Sequence, residues 1–189
     1  MSPARLITDL GDLFPATAVA AVVFGWCWAK LDRLMAMSFA VCFMGAVVVD
    51  TVLKFGAAQM FPYPDGLSLF QLSSGAPSGH AALATMVYGA AIVLFAGTCR
   101  GVAAIAGVLF SVLALAAVLV TRVTLHTHTV ADVAAGVAVA GLFVLVFDQV
   151  RRRRDHPRGD GAPVLLAGMV VVGVFALISG VRISSTMFL

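Results

Sequence analysis

Six apolar runs of about twenty residues, separated by polar connections, leave this chain few folds to choose from. They fall at about Phe14–Ala29, Leu34–Leu53, Ala81–Cys99, Val102–Val120, Val130–Val150 and Val164–Val181. An α-helix rising about 1.5 Å per residue crosses the hydrocarbon core of a bilayer in a run of that length. Within hydrocarbon every backbone N–H and C=O must be satisfied without water, and a helix does so by itself. A soluble fold fails on composition. Of 189 residues, 61% are hydrophobic and 11% charged, with a mean hydropathy of +1.05, more apolar surface than a soluble domain of this size can bury. All nine acids are Asp; exposed soluble helices would use Glu freely. The expected fold is all-α: a polytopic membrane bundle of about six transmembrane helices, one domain over residues 1–189. Gly, Ala and Val fill the runs and let backbones approach closely. The first run follows Asp9 and Asp12 rather than a basic region, and reads as a retained helix, not a signal peptide. Ahead of it, Leu6, Ile7, Leu10, Leu13 and Phe14 recur at helical spacing; a short interfacial helix and a disordered segment both fit. Cys27, Cys42 and Cys99 have neither disulfide nor metal spacing and read as small packing residues.

Charge sets the orientation. Six spans alternate their connections between two faces. One face receives Lys30, Arg33, Arg100, Arg151, Arg152, Arg153, Arg154 and Arg158; the other receives Arg5, Lys54, Arg122 and Arg182. The eight-residue face is expected to be cytoplasmic, the four-residue face and both termini external. Beside a span end, Arg151–Arg154 reads as a topology anchor touching anionic headgroups rather than as a nucleic-acid patch. His156 is expected to be solvated there. Trp26, Trp28, Phe61 and Phe70 are expected as lipid or interface anchors.

Three polar clusters interrupt this pattern: Lys54 through Pro62, Pro77-Ser78-Gly79-His80, and Thr121-Arg122 followed by His126, His128 and Asp132. The first two are assigned to the connection between spans two and three, the third to that between spans four and five. Both connections lie on the external face, so the clusters can meet. His128 and Asp132 are four apart, a spacing that puts both on one face of a helix. A carboxylate on one imidazole nitrogen fixes the tautomer and frees the other nitrogen to attack. Ser78, Gly79 and His80 open span three, where unpaired N–H groups and the positive end of the helix dipole favour a phosphate. Lys54 and Arg122 supply cations suited to phosphoryl oxygens. Asp50, one turn before Lys54, either orients that lysine or neutralises it as an i,i+4 pair.

The pattern Lys54-x6-Phe61-Pro62, Pro77-Ser78-Gly79-His80 and Thr121-Arg122-x5-His128-x3-Asp132 resembles the type 2 phosphatidic acid phosphatase superfamily, whose signature is K-x6-R-P, P-S-G-H and S-R-x5-H-x3-D. The resemblance spans residues 54–132. It implies His128 as nucleophile through a phosphohistidine, Asp132 holding it, and His80 as acid and then base. Lys54, Ser78, Gly79 and Arg122 would bind the phosphoryl oxygens, with Asp50 and Thr121 as supporting positions. No metal or other cofactor is implied, and with the spacing of His128 and Asp132 so explained, a zinc reading of His126-x-His128 falls away. The partners implied are the membrane and a lipid phosphate, such as undecaprenyl diphosphate, phosphatidylglycerol phosphate, phosphatidic acid or lipid A phosphate. The sequence departs from the signature twice. Phe61 stands for the Arg, at a cost of roughly 1.5–3 kcal/mol of transition-state binding; Thr121 stands for Ser and keeps the hydroxyl. Two other activities fit the same residues: phosphotransfer to a second lipid, and lipid binding or transport without chemistry.

Overall fold

The computed structural model describes residues 9–60, 76–154, 156 and 158–186. These form a one-turn 3-10 helix, Asp9–Gly11, and six α-helices: α1 (Leu13–Lys30), α2 (Arg33–Met60), α3 (Gly79–Thr98), α4 (Gly101–Thr124), α5 (Val130–Arg152) and α6 (Ala162–Thr186). Helices α1 to α5 are long and apolar enough to cross a membrane, and α6 carries a further apolar run over Ala162–Phe175. The all-helical bundle expected from the apolar runs is therefore what forms, with two boundaries moved. α2 continues past Leu53, so Lys54 is helical rather than a loop residue, and α4 continues past Val120 to take in Thr121 and Arg122. Hydropathy falls at each cation, but no Pro or Gly cap ends the helix there. Asp50, one turn back, holds Lys54 at 3.2 Å.

α3 is the axle of the bundle. It packs against α1, α2, α4 and α5, and twelve of its twenty residues are buried. Helices in lipid gain no hydrophobic energy by touching each other, so close backbone approach and dispersion must hold them. Small residues provide this on each side of α3. A Cβ on Gly89 would stand 3.0 Å from Val144 of α5, and one on Gly107 of α4 would stand 2.5 Å from the Phe95 ring. The closest approach to a facing backbone is at Gly136 of α5, where a Cβ would lie 2.5 Å from the Ser78 carbonyl oxygen. α2 joins α5 through Phe39 and Phe147, whose rings meet edge to face at 5.8 Å. Val102, Ile105, Leu109 and Leu113 of α4 are exposed at helical spacing, as a face turned to lipid requires.

The basic end is tied together more firmly than composition suggests. Asp32, in the turn between α1 and α2, accepts from the Met35 N–H at 2.7 Å and pairs with Arg154 at 3.6 Å and His156 at 3.2 Å. His156 is thus a partnered, mostly covered residue, not a solvated one. Trp26 is buried and donates from Nε1 to the Gly161 carbonyl at 3.1 Å, so it anchors a loop rather than the lipid interface. Trp28 is half-exposed, with Arg33 over its ring at 5.2 Å. Arg151 chelates Asp148 and lies against Gly97, so the arginine run starts inside the protein. All three cysteines are buried and free. At the other end, Leu13 and Phe14 open α1, and residues Leu6 and Ile7 of the proposed interfacial stripe lie outside the described residues.

Gly136→Ala is expected to lower stability by about 1–3 kcal/mol, because the methyl group meets backbone rather than a movable side chain. Gly141, one and a half turns on, has nothing within 4 Å of a built Cβ, so Gly141→Ala should be neutral or mildly stabilising. Equal melting temperatures for the two variants in detergent would show that α3 and α5 do not approach this closely.

Candidate active site

The three polar clusters converge at one end of the bundle, where α2 and α4 finish and α3 and α5 begin. Ser78 is the N-cap of α3, with extended backbone. Its N–H, which a helix start leaves unpaired, donates to the Asp132 carbonyl of α5 at 3.0 Å. Its hydroxyl makes no cap hydrogen bond and is buried without a partner among the described residues. Gly79 follows and leaves room for the lysine: a Cβ there would stand 2.5 Å from Lys54 Nζ and 3.4 Å from Asp50 Oδ2, so a larger residue would displace the ammonium from this position. The lysine thus reaches the mouth of α3, held by a buried Asp50 within the span. Both readings of Asp50, as orienting group and as ion-pair partner, describe this one contact.

Arg122, buried in the last turn of α4, organises the turn that follows. Its carbonyl accepts from the Thr127 hydroxyl at 2.9 Å and from the His128 N–H at 3.2 Å. His126 takes the left-handed conformation, φ +53, with its side chain exposed; it turns the chain rather than lining the site. His128 precedes the helix instead of lying in its first turn. Thr129 is the N-cap of α5, and Asp132 completes a capping box with it: Thr129 N–H donates to Asp132 Oδ2 at 2.9 Å, and Asp132 N–H donates to the Thr129 hydroxyl at 3.2 Å. Asp132 Oδ2 is 3.9 Å from His128 Nδ1, an ion-pair separation rather than a hydrogen bond. The helix cap, not the imidazole, fixes this carboxylate. Thr121 spends its hydroxyl on the Ala117 and Val118 carbonyls, each at 2.9 Å, and gives the site no contact of its own. Phe61 and Pro62 lie outside the described residues.

The His128 side chain has no exposed surface, and neither ring nitrogen has a hydrogen-bond partner among the described residues. Burial pushes its pKa down to about 4. The Arg122 charge acts in the same direction, the Asp132 carboxylate opposes it, and the charges of His80 and Lys54 add smaller downward pushes. His128, Arg122, Asp132, His80 and Lys54 therefore share one electrostatic environment, and near neutral pH the His128 ring is uncharged with a lone pair available.

Two residues escaped the sequence reading. Thr129 was legible, since Thr-x-x-Asp before an apolar run is a capping signal. Asp12 was not. Its carboxylate Oδ1 contacts His80 Nε2, across a sequence separation that no local pattern spans. Beside it, between α1, α2 and α3, lies a cavity of about 290 Å³ walled by Asp12, Lys54 and His80 and by Ala46, Val47 and Leu83. Polar groups form one part of its wall and aliphatic groups another; His128 and Arg122 are not among its walls.

A model of the PAP2 superfamily matches residues 35–156, from the first turn of α2 to beyond α5, and so takes in the three polar clusters but not Asp12. No curated protein and no solved structure matches the chain.

The His128 ring is expected to titrate near pH 4 when followed by NMR on selectively labelled protein in detergent. The sign follows from burial: the charged form is disfavoured, so protonation needs more acid than a free imidazole does. A midpoint at the ordinary 6.5 would show a solvated ring.

Proposed function

Because the chain belongs to the PAP2 superfamily, whose membership supports phosphatase-type chemistry in a multi-pass membrane protein, we propose that it hydrolyses a lipid phosphate or diphosphate through a phosphohistidine on His128. The observation that carries this reading is a buried, uncharged imidazole with both nitrogens unpaired among the described residues, lying within the field of two cations, a carboxylate and a second histidine. A core histidine kept for packing would have a hydrogen-bond partner, because an orphaned buried polar group costs about 1–3 kcal/mol.

The roles follow from position. His128 attacks phosphorus through Nε2, the nitrogen away from Asp132. As positive charge grows on the ring, the Asp132 carboxylate needs to move only about 1 Å to accept a hydrogen bond from Nδ1; such bonds tighten on the way to the transition state. Lys54, Arg122, the Ser78 hydroxyl and the opening N–H groups of α3 hold the phosphoryl oxygens and take up their developing charge. His80 gives a proton to the leaving oxygen and takes one from the water that resolves the intermediate. The nucleophile is covered, so a phosphoryl group reaches it by opening the mouth of the bundle.

The lipid character of the substrate rests on the cavity beside the site, where Lys54 and His80 meet a headgroup and Ala46, Val47 and Leu83 meet a chain. Undecaprenyl diphosphate is the first candidate among the lipids that the family resemblance suggests. The charge asymmetry between the two faces favours an external site, and the undecaprenyl candidate goes with a bacterial cytoplasmic membrane.

Purified protein given a panel of lipid phosphates should release inorganic phosphate from at least one, with EDTA present or absent. His128→Ala should reduce that release by at least about 10³-fold while leaving the melting temperature in detergent unchanged. Lipid transport without phosphate release in the parent protein would defeat the proposal, and labelled phosphate appearing on a second lipid would redirect it to phosphotransfer.

A further inference from the structure

Asp12 occupies the N-cap position of α1, where an Asp normally turns its carboxylate back onto the opening N–H groups of its own helix. It does not do so: its side chain makes no cap hydrogen bond, and Oδ1 contacts His80 Nε2 instead. The segment that carries it is seated by packing. A Cβ on Gly11 would stand 2.8 Å from Val118 of α4, 3.1 Å from the His80 carbonyl oxygen and 3.2 Å from the His80 Cβ, so the 3-10 helix lies wedged between α3 and α4 with only a glycine's clearance. Asp12 is thus delivered to His80 by backbone shape, at the loss of a local cap.

We propose that Asp12 is the positioning residue of the proton-transferring histidine: its carboxylate holds Nε2–H of His80 and thereby commits Nδ1 to the leaving group. The proposal rests on the reading of His80 as acid and then base. In the first half-reaction the His128 Nε2–P bond forms as the P–O bond breaks; the leaving oxygen keeps the electron pair and takes the Nδ1 proton. His80 is left neutral, with its remaining proton on Nε2 facing Asp12. In the second, water adds to phosphorus and yields its proton to Nδ1. The P–N bond breaks with its electron pair returning to His128. One lipid phosphate and one water are consumed, free phosphate is formed together with an alcohol (or, from a diphosphate, with a lipid monophosphate), and His80 ends protonated as it began. Asp12 never binds phosphate; it sets the tautomer and the direction of the ring, as second carboxylates do for other catalytic histidines.

The test uses leaving groups of different basicity, because an acid matters for an alkoxide and little for a nitrophenolate. Full-length protein in detergent is assayed on a lipid phosphate monoester from the panel, whose leaving group is an alkoxide, and on p-nitrophenyl phosphate. Asp12→Asn should lower kcat on the lipid about tenfold or more with little change in KM, alter the aryl ester less than about threefold, and leave the melting temperature in place. Asp12→Glu should restore most of the loss. His80→Asn should show the same substrate contrast, more strongly, and the double variant should be no worse than His80→Asn alone. A contrast in His80→Asn but not in Asp12→Asn overturns the role of Asp12 only. Absence of contrast in both removes the acid role of His80 and the proposal with it. An increase in rate on Asp12→Asn would instead mark the carboxylate as an anion competing with phosphate, and would equally overturn it. If Asp12→Asn fails to fold, the contrast is read from Asp12→Ser and Asp12→Ala, where equal losses on both substrates refute the proposal.

Discussion

The hydrogen bond from the Ser78 N–H to the Asp132 carbonyl is the join on which the site depends. It links the start of α3 to the start of α5, and it exists because Gly136 lets the two backbones come within reach. In water a helix mouth can leave its first N–H groups to solvent. At the edge of a bilayer that option weakens, and an unpaired donor becomes costly. One cross-helix bond therefore satisfies an orphan donor and sets the turn of Pro77-Ser78-Gly79-His80 beside the turn that presents His128. The carbonyl of Arg122 does the matching work on the other side, accepting from both Thr127 and His128.

Electrostatics around this join are arranged by burial more than by pairing. Lys54 keeps its partner Asp50 one helical turn back, inside the span, so its charge can be carried to the mouth of α3 without an uncompensated ion in the bundle. The His128 ring has no hydrogen-bond partner among the described residues, with Asp132 at 3.9 Å. It stays neutral because burial and neighbouring cations oppose its protonation, and neutrality is what a nucleophilic imidazole needs. Asp132 serves first as a structural acid that caps α5. Its closeness to His128 is a by-product of the three-residue offset between cap and capping acid, so one carboxylate can support the helix and the ring together.

The fold class and most of the site could be read from the chain because each rests on local rules. Apolar runs of membrane length imply helices, and the three clusters imply one end of the bundle by parity alone. The errors share a physical origin. Lys54 and Arg122 were assigned to connections because hydropathy drops at a charge, whereas a helix ends only when its hydrogen-bond ladder is capped or broken. His156 and Trp26 were given to solvent and lipid because each finds its partner, Asp32 or Gly161, through a loop that folds back over the basic end. Thr121 was read as a supporting position that keeps a serine's hydroxyl, and that hydroxyl bonds the preceding turn of its own helix.

What the sequence settled alone is what short-range chemistry and chain parity control: that the protein is a helical membrane bundle, and that the polar clusters of the candidate site gather at one end. What only the tertiary structure decided is how those groups are held. The capping role of Asp132, the missing hydrogen bond to His128, the full burial of that ring and the carboxylate of Asp12 on His80 all depend on helices meeting side by side. Contacts between helices are set by where glycines permit close approach, and that geometry belongs to pairs of segments rather than to any one stretch of chain.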